Sequence, residues 1–227
     1  MSKIADQRLA PCAYPPPVPA EPDDVPLKID LRDPVVAHTW VREAEVKRPW
    51  RSELRAAIAE ALGAASLPAR RVLELGPGPG LLAERILQSC AVDSYTLFDF
   101  SAAMLALARE RVGAHPATTF VLGDFKQPDW AQVFEAPFDA VVAMQSVHEI
   151  RHKRHVPGLY RQIHGVLRPG GLLLVCDHVP FDDSARATTL HSTEEEQHAA
   201  LLSAGFLGVM TRVRIQQLYL CSGRRAA

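Results

Sequence analysis

The stretch Val72-Leu-Glu-Leu-Gly-Pro-Gly-Pro-Gly80 constrains the fold more than any other part of this chain. An apolar run interrupted only by Glu74 passes directly into a loop carrying Gly76, Gly78 and Gly80, and the residues beyond it resume with helical periodicity. Glycines let the backbone turn sharply and let a ligand approach with no Cβ in the way, so this is how a strand-loop-helix unit with a ligand site begins. The alternation continues downstream. Short apolar runs predict strands over 72–75, 95–98, 119–122, 138–143 and 172–176, with helices starting near Gly80, Ser101 and Pro157. Continuous apolar strands between helices are buried on both faces, which gives an α/β, doubly wound, Rossmann-like sheet with helices on both sides.

The flanks read differently. Eight of the eighteen prolines fall between Pro11 and Pro34, so residues 1–34 are expected to form a proline-rich tail or strap. Residues 35–69 follow as an N-terminal helical extension, a possible cover for the active site. It consists of two helices broken at Pro49, the first through Val36, Trp40 and Ala44, the second with Trp50, Leu54, Ala57, Ile58, Ala61 and Leu62 on one face. Residues 70–227 make the main domain. Near its end, Ser192 with Glu195 and Thr193 with Glu196 both satisfy capping-box spacing for a helix that stops at Gly205. The span 209–221 suggests two strands, with no Gly or Pro to turn between them.

Composition excludes several partners. A formal charge of -1 lacks the basic footprint of a nucleic-acid or anionic-membrane protein. The four scattered cysteines form neither a disulfide scaffold nor a zinc motif, and a reducing compartment follows. The start MSKIADQRLAP has no apolar leader and the run Leu172 to Cys176 is too short to span a bilayer, so the expectation is a soluble, cytoplasmic protein.

The strand ends carry the chemistry. A P-loop needs Gly-Lys-Ser/Thr, whereas Gly80 is followed by Leu81 and Leu82. A dinucleotide fingerprint wants a third glycine where Leu81 stands, and Glu74 would face an anionic pyrophosphate, which weakens a nicotinamide-dependent oxidoreductase as an alternative. A nucleoside with a cationic, phosphate-free tail tolerates Glu74, and S-adenosylmethionine is such a ligand. Asp99, nineteen residues past Gly80, sits where a ribose diol finds its acceptor. Asp124 offers a carboxylate for an adenine amino group and Phe125 an aromatic face. Met144-Gln-Ser146, His148 and Glu149 end the fourth strand.

Taken in order, ELGPGPG, FDFSAAML, LGDF, FDAVVAMQSVHEI, VLRPGGLLLVCD and TEEEQHAALLSAGF resemble the motif series of class I S-adenosylmethionine-dependent methyltransferases, over about residues 72–206. The resemblance implies a seven-stranded sheet whose last strand is antiparallel. It also implies S-adenosylmethionine as cofactor, with Gly76, Gly78 and Gly80 shaping its methionine side and Glu74 near its amino group. Asp99 would hold the ribose, with Phe100 and Met104 beside the nucleoside; Asp124 and Phe125 would hold the adenine, and Met144 would face the methionine portion. Leu97-Phe98 departs from the more usual Val-Gly before the acid. The activity implied is methyl transfer to an O, N or C nucleophile of a small-molecule acceptor, with no nucleic-acid partner. His148 is the candidate base and Glu149 the weaker one. Asp177, His178 and His191 are further candidates for the acceptor side, and Trp40 and Trp50 for a roof. No metal is expected at His148, His152 and His155, which Arg151, Lys153 and Arg154 crowd with positive charge. A catalytically silent module that binds the cofactor for regulation remains the alternative in another class.

Overall fold

The computed structural model describes residues 23–68 and 70–227; residues 1–22, most of the proline-rich tail, lie outside them. Seven strands make one sheet: β1 Arg71–Leu75, β2 Ser94–Asp99, β3 Thr118–Leu122, β4 Phe138–Met144, β5 Leu167–His178, β6 Phe206–Ile215 and β7 Leu218–Arg225. Their order is β3-β2-β1-β4-β5-β7-β6, with β7 antiparallel to both of its neighbours and the other pairs parallel. The doubly wound sheet with one antiparallel strand is therefore present. Its topological switch lies between β1 and β4, where ligands bind in such folds.

Helices α1 Pro34–Lys47 and α2 Arg51–Gly63 precede the sheet, and α3 Leu81–Ser89, α4 Ala102–Val112, α5 Val156–Val166, α6 Ala185–Leu190 and α7 Glu194–Ser203 are interleaved with it. Alternate residues of one strand serve opposite faces: Val72 packs with Leu54, Ile58, Ile86 and Leu105, whereas Leu73 and Leu75 pack with Leu159, Ile163 and Leu201. So α2, α3 and α4 cover one face, and α5 and α7 the other. Among the described residues no helix is long and apolar enough to cross a membrane.

The helix ends follow local chemistry. Asp33 caps α1 by accepting from the amides of Val35 and Val36, and Ser101 caps α4 by accepting from Met104. Thr193 and Glu196 form the capping box at α7, the second of the two spacings seen in the sequence. Elsewhere the structure departs from the expected boundaries. β5 begins at Leu167, because the Arg168-Pro-Gly-Gly171 turn is looped out of the strand as its register against β4 shifts between Phe138 and Ala140. β6 and β7 extend past 209–221 at both ends. They are joined at Gln216, which adopts φ 54 and supplies the left-handed turn without a glycine. The short α6, capped by Ser184, and the 3-10 turns at Val147–Ile150 and Lys153–His155 had no clear sequence signal.

Residues 23–33 cross the strand-end side of the sheet as a strap. Arg151 holds it, its Nε donating to the Val25 carbonyl at 2.8 Å and its NH2 to that of Pro26 at 2.9 Å, while Val25 N donates back to Arg151 O at 3.0 Å. Asp23 and Asp24 pair with Arg154 and His155, and at the far end the Ser101 hydroxyl donates to Leu31 O at 2.5 Å.

Candidate active site

The C-terminal ends of β1 to β5 share one edge, so the acidic residues spaced through the sequence meet there. Glu74 at the end of β1 is 2% exposed and accepts from the Tyr95 hydroxyl at 2.8 Å. Burial pushes its carboxyl up to about 8; the Tyr95 hydroxyl opposes that shift and the charge of Asp99 adds to it. Asp99, 5% exposed, accepts from Gly78 N at 3.1 Å and Ser101 N at 2.9 Å. Burial takes it to about 7 against the pull of those two amides. Its two oxygens thus tie the glycine loop to the N-terminus of α4 and keep lone pairs for a diol.

The glycines have separate tasks. All three have positive φ, and a Cβ on Gly76 would lie 2.5 Å from Ser146 Cβ, whereas one on Gly78 would meet nothing within 4 Å. Gly76 is therefore required by packing against the β4 loop, where the Ser146 hydroxyl donates to Leu75 O at 2.6 Å. Gly78 faces open space, as a ligand cradle needs. Asp124 is buried, receives the Lys126 amide at 2.9 Å and has Lys126 Nζ at 3.7 Å; the same ammonium stands 6.0 Å from the half-buried Phe100 ring. Met104 is buried on α4 yet belongs to neither core cluster, whereas Phe125 is in the core with Phe98 and Trp130. Met144, Glu74, Pro77 and Leu81 line one cavity under α1 and α2, with Trp40 from α1.

A second set of groups lies beyond β4 and β5. His148 Nδ1 donates to Asp177 Oδ1 at 2.7 Å, and its backbone N donates to Asp177 Oδ2 at 3.0 Å. Its Nε2 lies 3.3 Å from Glu149 Oε1, and Glu149 in turn receives Arg151 NH1 at 3.0 Å. Burial disfavours the imidazolium, but the charge and hydrogen bonding of Asp177 and Glu149 outweigh it and carry His148 up to about 10. Burial alone would raise Asp177; the His148 cation holds it well below the ordinary carboxylate range. The neutral imidazole expected at His148 is thus a cation at neutral pH, because its partner is a buried carboxylate.

His178 and His191 complete the chamber, their rings 5.3 Å apart and 5.6 and 5.3 Å from that of His148. Burial lowers both to about 4. Gln145, held at φ 56, donates from Nε2 to His178 Nε2 at 2.8 Å. Its Oε1 and His191 Nδ1 are buried with no hydrogen-bond partner among the described residues. Buried polar atoms without a protein partner can bind a water or a ligand's polar atoms. His148, Asp177 and His191 offer ligand atoms within 4.8 Å of one another, a spacing a metal could use, but both Asp177 oxygens are already engaged by His148 and by His178 N at 2.7 Å. His152 and His155 stand elsewhere, one capping Arg154 N and the other paired with Asp24.

Sequence reasoning named the strand-end acids but missed Tyr95 behind Glu74 and Arg51 in the cavity under α2. It named Asp177 without joining it to His148. The signal was available, since adjacent β4 and β5 bring the residues after their ends together.

The fold is a doubly wound α/β domain whose strand-end acids gather at one edge of the sheet. A family model described as a methyltransferase domain matches residues 72–171. The trans-aconitate 2-methyltransferase of Delftia acidovorans is 34% identical over 147 residues, covering 64% of this chain and 50% of that protein. Among solved structures, the CurJ carbon methyltransferase superposes with TM-score 0.66 at 17% identity, covering 86% of this chain and 61% of that one. The methyltransferase CalH, solved with S-adenosylhomocysteine, superposes at 0.61 with 20% identity, covering 76% and 55%. Residues 72–171 are thus similar to a methyltransferase domain, and the chain has the fold of the methyltransferases it superposes on. Its matches span half or less of the length of the curated relatives. The residues present could hold S-adenosylmethionine: Gly78 has open space beside it, Asp99 keeps lone pairs that a diol could use, and among the described residues no cation is bonded to the buried Glu74.

Proposed function

We propose that this protein methylates a small molecule at an oxygen or carbon that reacts through an oxyanion, with His148 as the residue facing the acceptor. The observation that carries this reading is the His148–Asp177 ion pair at 2.7 Å, set beside two polar atoms, Gln145 Oε1 and His191 Nδ1, that have no hydrogen-bond partner among the described residues. S-adenosylmethionine, when bound, supplies an electrophilic methyl group. The chain's contribution is alignment, and in ideal systems alignment contributes up to about 7–11 kcal/mol.

His148 is fixed in one orientation by Asp177, so its Nε2–H can donate to an acceptor oxygen and stabilise the ionised form. This replaces the expected proton acceptor with a proton-holding donor. Glu149, beside that nitrogen, is the carboxylate that can take the acceptor's proton, the weaker of the two bases expected from sequence. Burial tends to raise its carboxyl, yet His148 and Arg151 hold it below the ordinary range, so it is available as the anion. His191 Nδ1 and Gln145 Oε1 offer hydrogen bonds to a second polar atom of the acceptor. An amine gains nothing from a fixed cation, which disfavours nitrogen among the three nucleophiles. On the cofactor side, Glu74, the glycine loop, Asp99, Phe100, Met104, Asp124, Phe125 and Met144 take the parts expected of them, and the strap with α1 and α2 covers the cleft.

Supplying S-adenosylmethionine with a radiolabelled methyl and a panel of phenols, 1,3-dicarbonyl compounds and amines tests the reading. Label in the phenol or dicarbonyl arm that His148→Ala abolishes is the expected result. Transfer confined to amines, or unaffected by His148→Ala, would overturn it.

A further inference from the structure

The chamber beyond β4 and β5 holds two polar atoms whose bonding needs are complementary. Gln145 is fixed at both ends, its backbone N donating to Cys176 O at 2.7 Å and its Nε2 to His178 Nε2 at 2.8 Å. That leaves Oε1, which can only accept, buried with no hydrogen-bond partner among the described residues. His191 stands against the same imidazole, the two rings 5.3 Å apart, and is 6% exposed. Its Nδ1 is the second atom buried without a partner there. Burial draws this imidazole down to about 4, so it is neutral and one of its ring nitrogens carries hydrogen. A ring nitrogen of His191 also lies within 4.8 Å of one of His148, so a group bound here is close to the oxygen that His148 faces.

One hydroxyl group answers both atoms, because an O–H donates and accepts at the same oxygen. It gives its proton to Gln145 Oε1 and accepts from Nδ1–H of His191. A carbonyl or ether oxygen in its place leaves Gln145 unsatisfied, and an alkyl group leaves both. A water between the two would meet the same needs, and a ligand that displaces it without reproducing its hydrogen bonds loses affinity. We propose that Gln145 and His191 read a second hydroxyl of the acceptor, close to the oxygen that His148 faces, so that the protein methylates dihydroxy compounds in preference to monohydroxy ones. The inference rests on the role proposed for His148 and narrows its acceptor to molecules with two neighbouring hydroxyls. Phe181, 59% exposed with its ring 5.9 Å from that of His191, offers their carbon skeleton an apolar surface.

Transfer of a radiolabelled methyl from S-adenosylmethionine by the full chain to 1,2- and 1,3-dihydroxybenzene, phenol and 2-fluorophenol tests it. The better of the two diols should exceed both monohydroxy probes in kcat/KM by about 10- to 1000-fold, since a site built around a hydroxyl rejects the analogue that lacks it. 2-Fluorophenol is more acidic than phenol and its fluorine cannot donate, so its rejection cannot be laid to poor ionisation. In His191→Phe the preference should shrink by about tenfold or more, and His191→Asn, whose amide nitrogen can stand near the place of Nδ1, should recover part of it. Titration of each variant with S-adenosylhomocysteine reports that it folds, and the four probes on the unaltered protein decide the matter even if a variant does not. Diols and monohydroxy probes within about twofold of one another overturn the inference, and so does a preference that His191→Phe leaves intact. Transfer to none of the four would instead remove the oxyanion reading of His148, and the second hydroxyl with it.

Discussion

The two halves of the strand edge are built by different means. On the proposed cofactor side, Asp99 and Asp124 are fixed by backbone amides two residues further along, and Asp99 also by that of Gly78. On the proposed acceptor side, His148 is fixed by Asp177, twenty-nine positions away at the end of β5, and His191 arrives just past the short α6 after a further loop. Backbone amides come with the strand-loop-helix unit whatever the side chains around it, so the first half is set by local sequence. Side-chain pairing exists only once β4 and β5 lie side by side, so the second half is free to vary with the loops that follow them.

The largest expected effect tests whether the halves are separate. His148→Ala should lower turnover by about 10²- to 10⁴-fold while leaving S-adenosylhomocysteine affinity within about twofold; steady-state rates and calorimetry on the same preparation check it. An affinity loss as large as the rate loss would mean the halves are one network. Asp99→Ala should do the reverse, weakening S-adenosylhomocysteine by about 10- to 100-fold, since a charged hydrogen-bond acceptor is lost.

Acidity sharpens the comparison further. Glu74 and Asp99 sit near 8 and 7 in the ligand-free protein, so a cationic ammonium should bind better as they ionise. S-adenosylhomocysteine affinity should rise with pH between 6 and 8, by up to about tenfold per unit, and Glu74→Gln should flatten the rise. Stability runs the other way. A carboxyl whose folded pKa is raised favours the folded state at low pH, and that contribution is lost as pH rises from the unfolded value of 4.5 through about 8. Denaturant melts of the ligand-free protein should show Glu74→Gln removing that slope. The smallest effect concerns the strap that spans both halves: Arg151→Ala deletes its donors to Val25 and Pro26 and should speed S-adenosylhomocysteine release about two- to fivefold, read by stopped flow.

Legibility in the sequence follows the same division. The strands, the glycine loop and the acids at 74, 99 and 124 stood at spacings that a βα repeat imposes, and the structure places them on one edge. The capping box at Thr193 was readable because its signal spans four residues. By contrast, the charge state of His148 depends on Asp177 and Glu149 meeting around it, and no periodicity records that. Arg51 was hidden for another reason: on a helix wheel the run from Trp50 to Leu62 reads as an apolar face, and a buried arginine turns up on that face only when the cavity beside it is known. Gln216 turns the last hairpin with a residue that tolerates left-handed backbone poorly, so the absence of glycine there concealed the turn.

The contact between Gly76 and Ser146 has a consequence for how such a chain can change over generations. The serine hydroxyl is bolted to the carbonyl of Leu75, and the glycine leaves it no spare room, so the last rigid point common to both halves is Ser146. Everything after it, from Val147 through the loops that deliver His178 and His191, can be rewritten toward a new acceptor while the nucleoside end stays in register. A library that holds Gly76 and Ser146 fixed and varies the loops beyond them is the economical route to altered specificity.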